Sequence, residues 1–256
     1  MPSSARPRRI CVFGDSHIGC IKRAVTEALF EPPGGIEIEF WGAEGPLFRQ
    51  LAYRDGKVVP SDEALPSVLA VNDAGRPALD PDDFDVILFM GARIRSLNIF
   101  EPELRRFQQP EAFTSQAVFA QTCADWLRRQ RFYGVARAFA KTTGCDILVA
   151  PSTFLAEGSA PQKGPEYTLA QKPNREGVDR IWTALEQAAA EDGITLIRQP
   201  PETCGDGCTS KPEYSRRAAD DTIDPVHRNP AYGALILERA LCALASRQGR
   251  EHVPAG

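Results

Sequence analysis

The sequence predicts a three-layer α/β/α sandwich built on a central five-stranded parallel sheet. Three observations carry this reading. Short apolar runs recur along the chain, and most end at a glycine or a proline. Between them lie longer stretches whose apolar residues fall three and four apart, the spacing of a helix face. Most of the runs are continuously apolar, as parallel strands covered on both faces require.

The elements follow in order. Arg9 to Phe13 reads as a buried first strand and ends at Gly14. Ile18 to Phe30 carries apolar residues at 18, 21, 25, 28 and 29, a helical stripe that Pro32-Pro33-Gly34-Gly35 stops. Ile36 to Trp41 is a second strand, Asp85 to Met90 a third closed by Gly91, Asp146 to Ala150 a fourth closed by Pro151, and Thr195 to Arg198 a fifth. Helical patterns over Phe113 to Gln130 and Phe132 to Lys141 separate the third and fourth strands, and Arg175 to Glu191 separates the fourth and fifth. A last helix begins at Asn229-Pro230, a capping residue followed by proline at the first helical position. Residues 43–84 read as an insertion. Turn signals at Asp55-Gly56 and Asn72-Asp73-Ala74-Gly75 mark hairpins within it. Residues 152–174 and 199–223 read as irregular and, with the insertion, as candidates for a lid or a substrate wall.

A chain of 256 residues suits one domain over 1–256, with its core over about 9–246. Acidic and basic residues are mixed and the net charge is −4, so there is no basic stripe for nucleic acid. The apolar run at 10–13 is too short for a signal-peptide core, and no stretch approaches a membrane span. The expected compartment is the cytoplasm, with no membrane partner; the oligomeric state stays open. Of seven cysteines, Cys204 and Cys208 lie close together in Cys-Gly-Asp-Gly-Cys. No second ligand pair follows at zinc-site spacing, so the reading is a glycine-rich loop, with no metal and no cofactor. A flavodoxin-like nucleotide site would need a glycine-rich phosphate loop of another form.

In a parallel sheet the reactive loops leave the carboxyl ends of the strands. Gly14-Asp15-Ser16, Trp41-Gly42, Gly91 and Pro151-Ser152 all fall there. Ser16 lies between a strand and a helix, where its hydroxyl stands above the sheet edge and helix N–H groups are at hand. A serine nucleophile needs a base. Of three histidines, His252 lies in a polar tail and His17 adjoins Ser16, which leaves His227, with Asp224 three residues earlier to orient its ring. The simpler reading is that Asp15-Ser16 only caps the helix and that His227 is a loop histidine.

Gly14-Asp15-Ser16 after a strand, with Asp224-x-x-His227 before the closing helix, resembles the first and last blocks of the SGNH/GDSL hydrolase superfamily. The tail Asp224-Pro-Val-His-Arg-Asn-Pro-Ala-Tyr-Gly233 is similar to the Asp-x-x-His-x-Asn-x-x-Tyr-Gly form common in it, and the order of elements matches from residue 9 to about 246. The resemblance implies a serine esterase working through Ser16, His227 and Asp224, on an acetyl or short acyl ester of a carbohydrate or small metabolite. An acyltransferase with the same triad and a non-catalytic binding protein on the same fold are the alternatives.

The family's second block supplies an oxyanion glycine after the second strand, and Gly42 and Gly45 both meet that description. The third block is normally Gly-x-Asn-Asp, whereas this chain reads Gly91-Ala92-Arg93-Ile94. Arg93 replaces the asparagine. Three roles are open to it: steadying an oxyanion, binding an anionic group of the substrate, or pairing with Glu44 or Asp15. Asp15 joins the candidate substrate-side residues, Asn98 is a candidate to fill the vacant position, and His17 is read as starting the helix.

Overall fold

The structure, a computed structural model, describes residues 6–109, 115–159, 174–206 and 208–251. The strands among the described residues are β1 (Arg8–Gly14), β2 (Ile36–Gly42), β3 (Leu51–Arg54), β4 (Lys57–Pro60), β5 (Val86–Arg95), β6 (Asp146–Ser152), β7 (Leu155–Ala156), β8 (Thr195–Leu196), β9 (Thr209–Ser210), β10 (Ser215–Arg217) and β11 (Ile223–Arg228). The α-helices are α1 (Ile18–Thr26), α2 (Leu65–Val71), α3 (Leu97–Phe107), α4 (Gln116–Arg128), α5 (Arg131–Thr142), α6 (Arg175–Glu191) and α7 (Pro230–Glu251). Five strands form the central sheet in the order β2-β1-β5-β6-β8, parallel throughout.

Strand alternation sorts the core into two layers. Cys11, Phe13, Ile87, Phe89, Ile147 and Val149 face one side, against residues of α3 to α6. Ile10, Val12, Val86, Leu88, Met90, Leu148 and Ala150 face the other, against α1 and α7. Every one of these positions meets a helix, which is why the strands read as continuously apolar. On the first side the Phe13 ring lies 4.9 Å from Phe89, 5.5 Å from Phe48, 5.7 Å from Phe132 and 5.8 Å from Trp41, centroid to centroid.

Several expected boundaries move. α1 stops at Thr26 because Ala28 turns into the left-handed region at φ 56°, and the N–H groups of Leu29 and Phe30 fold back onto the Ala24 carbonyl. β5 runs five residues beyond Met90, through Gly91 to Arg95. The hairpin at Asp55-Gly56 is present as β3–β4, with both turn residues at positive φ. The one expected at Asn72 to Gly75 is absent. The short helix α2 comes first, and the buried Asn72 donates to the Phe40 carbonyl and Glu39 and accepts from the Arg76 N–H. That side chain brackets the turn onto β2 and leaves no strand to pair. The helix expected from Phe113 begins at Gln116, after Ser115 caps it by accepting from the Val118 N–H; 113–114 and 160–173 lie outside the described residues. α3, β10 and β11 are elements the sequence pattern does not announce. No helix among the described residues is long and apolar enough to cross a membrane.

α1 and α7 press together behind the sheet at Gly233. A methyl group there would stand 2.3 Å from the Cys20 carbonyl oxygen. Alanine favours a helix over glycine by about 1 kcal/mol, but a clash with backbone costs about 1–3 kcal/mol. Gly233→Ala is therefore expected to lower stability, read as a lower urea midpoint with an unchanged slope.

Candidate active site

The carboxyl ends of β1, β2 and β5 converge closely. A Cβ on Gly14 would lie 2.1 Å from the Met90 carbonyl oxygen, and one on Gly42 would lie 1.9 Å from that of Gly14. Only hydrogen fits between these strands, so the turn after β1 emerges hard against its neighbours. Asp15 and Ser16 form that turn. Helix α1 starts two residues later, and the Ser16 hydroxyl does not cap it.

Instead Ser16 Oγ lies 2.9 Å from His227 Nε2. His227 Nδ1 lies 2.8 Å from Asp224 Oδ2, while Asp224 Oδ1 accepts from the N–H groups of Val226 (2.9 Å) and His227 (3.0 Å). Arg216 Nη2 sits 3.1 Å from Asp224 Oδ2. Burial opposes the charge on Asp224, yet the backbone N–H groups and the His227 ring outweigh it and hold its pKa down at about 2. The sequence places His227 in a loop before α7; the structure puts it on β11, paired antiparallel with β10.

Arg228 anchors this ribbon. It is 4 % exposed and touches no carboxylate among the described residues. Its donors reach Thr153 Oγ1 at 2.9 Å, Ser215 Oγ at 2.6 Å and the carbonyls of Phe154 and Pro225 at 2.6 and 3.0 Å. It thereby joins β10, the Asp224–His227 turn and the segment after β6. Burial lowers its pKa to about 10, which leaves it a cation at neutral pH. Its place beside His227 in the sequence was the available signal for it.

On the β5 side the backbone is strained. Gly91, Ala92 and Arg93 have φ values of 66°, 45° and 62°, three successive residues in the left-handed region. Such a conformation costs roughly 1–3 kcal/mol for each non-glycine residue. The pairing of β5 with β6 shifts register here, between Gly91 and Arg95. Asp15 secures the turn: its Oδ2 accepts the Arg93 N–H at 3.3 Å, while its Oδ1 accepts the His17 N–H at 3.2 Å and meets His17 Nδ1 at 2.6 Å. Burial raises the pKa of Asp15, but the hydrogen bonds and charge of His17 and the charge of Arg93 bring it below the ordinary carboxylate value.

Ser16, His227, His17, Asp15, Arg93 and Arg95 line one cavity of about 290 Å³, which Ser96, Ser152 and Thr153 extend. A second recess of about 160 Å³ shares Asp15 and Ser16 and is walled by Ala43, Glu44, Ala70 and Val71. Gly42 and Gly45 line neither space. Gly42 is held in register opposite Gly14, and the Gly45 carbonyl accepts from Arg93 Nη2. Arg93 makes no pair with Glu44; its Nε stands 3.9 Å from Asp15 Oδ2. Asn98 is exposed on α3 and lines neither space. His17, read as a helix starter, faces the cavity with its ring 5.6 Å from that of His227. Cys204 and Cys208 are free thiols, and burial raises both pKa values.

No family model and no curated protein matches the chain. Among solved structures it is similar to a Streptococcus pneumonia protein provisionally described as a platelet activating factor, at 14 % identity and TM-score 0.44 over 95 % of this chain and 86 % of that one. It is also similar to the periplasmic domain of a Salmonella ser. Paratyphi A lipopolysaccharide acetyltransferase, at 12 % identity and TM-score 0.40 over 93 % and 84 % of the two chains. The salicylyl-acyltransferase SsfX3 of a tetracycline biosynthetic pathway matches at 12 % identity and TM-score 0.34, over 95 % of this chain and 56 % of that one. Likenesses this distant assign no activity.

Asp224 provides a check on the site's electrostatics. A carboxylate whose folded pKa lies below its unfolded value, near 3.8, stabilises the fold above that value and loses the effect as pH falls through about 2. Asp224→Asn is expected to cost stability at pH 6, and the deficit against the native chain should shrink by about 1 kcal/mol at pH 3. Paired urea titrations at the two pH values measure this.

Proposed function

We propose that the chain is a serine esterase whose nucleophile is Ser16. The observation that carries this reading is the continuous relay from Ser16 Oγ through His227 to Asp224, opening on a cavity. The resemblance of the first and last sequence blocks to the SGNH/GDSL hydrolases supports the same assignment.

In this mechanism His227 Nε2 takes the hydroxyl proton as Ser16 Oγ attacks the ester carbonyl carbon. Asp224 holds the ring so that Nε2 faces the serine, and steadies the imidazolium that forms. Among the described residues the Ser16 N–H has no acceptor, so it is free to donate to the oxyanion. Collapse breaks the bond to the alcohol, which leaves with the proton from His227. Water then attacks the acyl-enzyme, His227 accepts its proton, and the acid is released with Ser16 regenerated.

A second reading keeps the triad and changes the acceptor. Two recesses meet at Ser16, and the smaller one is walled partly by α2 of the insertion. That arrangement gives an acyl group and an acceptor hydroxyl separate places, as an acyltransferase needs. Measuring how product divides between water and an added sugar alcohol separates the two readings; exclusive hydrolysis counts against transfer.

A fluorophosphonate should label the native protein on Ser16, and Ser16→Ala should abolish the adduct. His227→Ala should lower kcat on 4-nitrophenyl acetate on the order of 10⁴-fold or more. An unlabelled Ser16, under conditions that label a control esterase, would sink the assignment.

A further inference from the structure

We infer that the ester processed at Ser16 carries an anionic group, a carboxylate or phosphate, held by Arg95 with Arg93 in the larger recess. The inference rests on the esterase reading for the reaction, but its support is the charge distribution around the cavity.

Two guanidinium groups, Arg93 and Arg95, line the recess that contains the nucleophile. Arg93 is mostly committed: it donates to the Gly45 carbonyl and lies near Asp15. Arg95 is exposed and makes no ion pair or side-chain hydrogen bond among the described residues. A third cation is close. Burial lowers the pKa of Arg93, Asp15 pulls it back up, and the neighbouring charges of Arg49 and Arg95 push it down again. The Arg49 side chain likewise has no ion pair among the described residues.

The carboxylates nearby do not offset this. Asp15 is saturated by His17 and the Arg93 turn, and Asp224 by His227, two backbone N–H groups and Arg216. Glu44 faces the other recess, which it shares with Lys22. The two spaces beside Ser16 therefore differ in charge. The larger one presents arginine forks, which match carboxylate and phosphate oxygens.

The strained turn points the same way. The left-handed run at 91–93 and the register shift on β6 fall where β5 delivers Arg93 and Arg95, and both residues line the recess. Strain of this kind persists where the surrounding contacts hold it, and it gathers at ligand sites.

The experiment compares matched esters that place the anion on either side of the scissile bond. For the acyl side, 4-nitrophenyl butyrate is set against 4-nitrophenyl hydrogen glutarate. For the alcohol side, phenyl acetate is set against 4-acetoxybenzoate. In at least one pair the anionic ester should have the higher kcat/KM, by about tenfold or more. The preference should weaken between about 20 mM and about 0.5 M salt, where screening sets in. Arg95→Glu should reverse the preference, and Arg95→Lys should retain part of it. Equal kcat/KM within both pairs, or a ratio that Arg95→Glu leaves unchanged, overturns the inference while leaving a labelled Ser16 intact. Should no ester turn over, calorimetric titration with glutarate and with 4-hydroxybenzoate decides independently of the chemistry. Binding that Arg95→Glu weakens about tenfold supports the anion site, and the absence of binding overturns it.

Discussion

Asp15 is a carboxylate only 5 % exposed, and its two oxygens serve turns from two different strands. One oxygen holds His17 by backbone and ring; the other takes the N–H of Arg93. A buried charge of this kind is tolerated only when such donors surround it. The consequence is geometric. The turn bearing Ser16 and the left-handed run after Met90 are locked to each other, and neither can relax alone. Gly91 makes the approach feasible, since a Cβ there would stand 2.8 Å from both Asp15 Oδ1 and His17 Cβ. Asp15 thus does for the Ser16 turn what a cap does for a helix end, at a place where α1 has no side-chain cap of its own.

His227 is held by separate means. His227 rides on a two-stranded ribbon outside the central sheet, so the sheet cannot fix its distance from Ser16. Arg228 supplies the missing connection. Its bonds to the segment after β6 tie the ribbon back to a sheet strand two places from β1. The guanidinium satisfies several carbonyl and hydroxyl oxygens at once, a use for which its planar fork is suited. Because its partners are neutral, the desolvation of the cation is only partly offset, and its lowered pKa records that. Ser16 and His227 therefore reach one another through two independent braces, Asp15 and Arg228.

The fold was readable because its signal is collective. Most sheet strands are apolar on both faces, and a glycine or proline stands at or near the carboxyl end of β1, β2, β5 and β6. The contacts of Ser16 with His227 and of His227 with Asp224 were readable because a serine hydroxyl that pairs with a base restricts its partners to few residue types and the chain has only three histidines. What escaped depends on contacts distant in sequence. Asn72 looks like a hairpin residue until Phe40 and Glu39 arrive to receive its amide. Composition marks Gly42 and Gly45 as turn glycines but does not show that Gly42 stands opposite Gly14 in the sheet or that the Gly45 carbonyl accepts from Arg93. In the sequence His17 is set aside because it adjoins Ser16, and adjacent side chains diverge in regular structure. The Asp15–Ser16 turn is irregular, and its carboxylate draws the ring round into the cavity.

Charge around the cavity follows from those same braces. The two carboxylates beside Ser16 and His227 are consumed by histidines, Asp15 by His17 and Asp224 by His227. Each is therefore spent on orientation and is unable to neutralise a distant guanidinium. Arg216 already lies on Asp224, and Arg93 reaches Asp15 only at 3.9 Å. The arginines of the larger recess thus keep their charge because the nearby carboxylates are engaged in holding His17 and His227. An asparagine in the position of Arg93 would leave the recess with one positive charge fewer and free the Gly45 carbonyl. With arginine there, a guanidinium lines the same cavity as Ser16, so the contacts that hold Ser16 and His227 in place also set the charge of the space beside them.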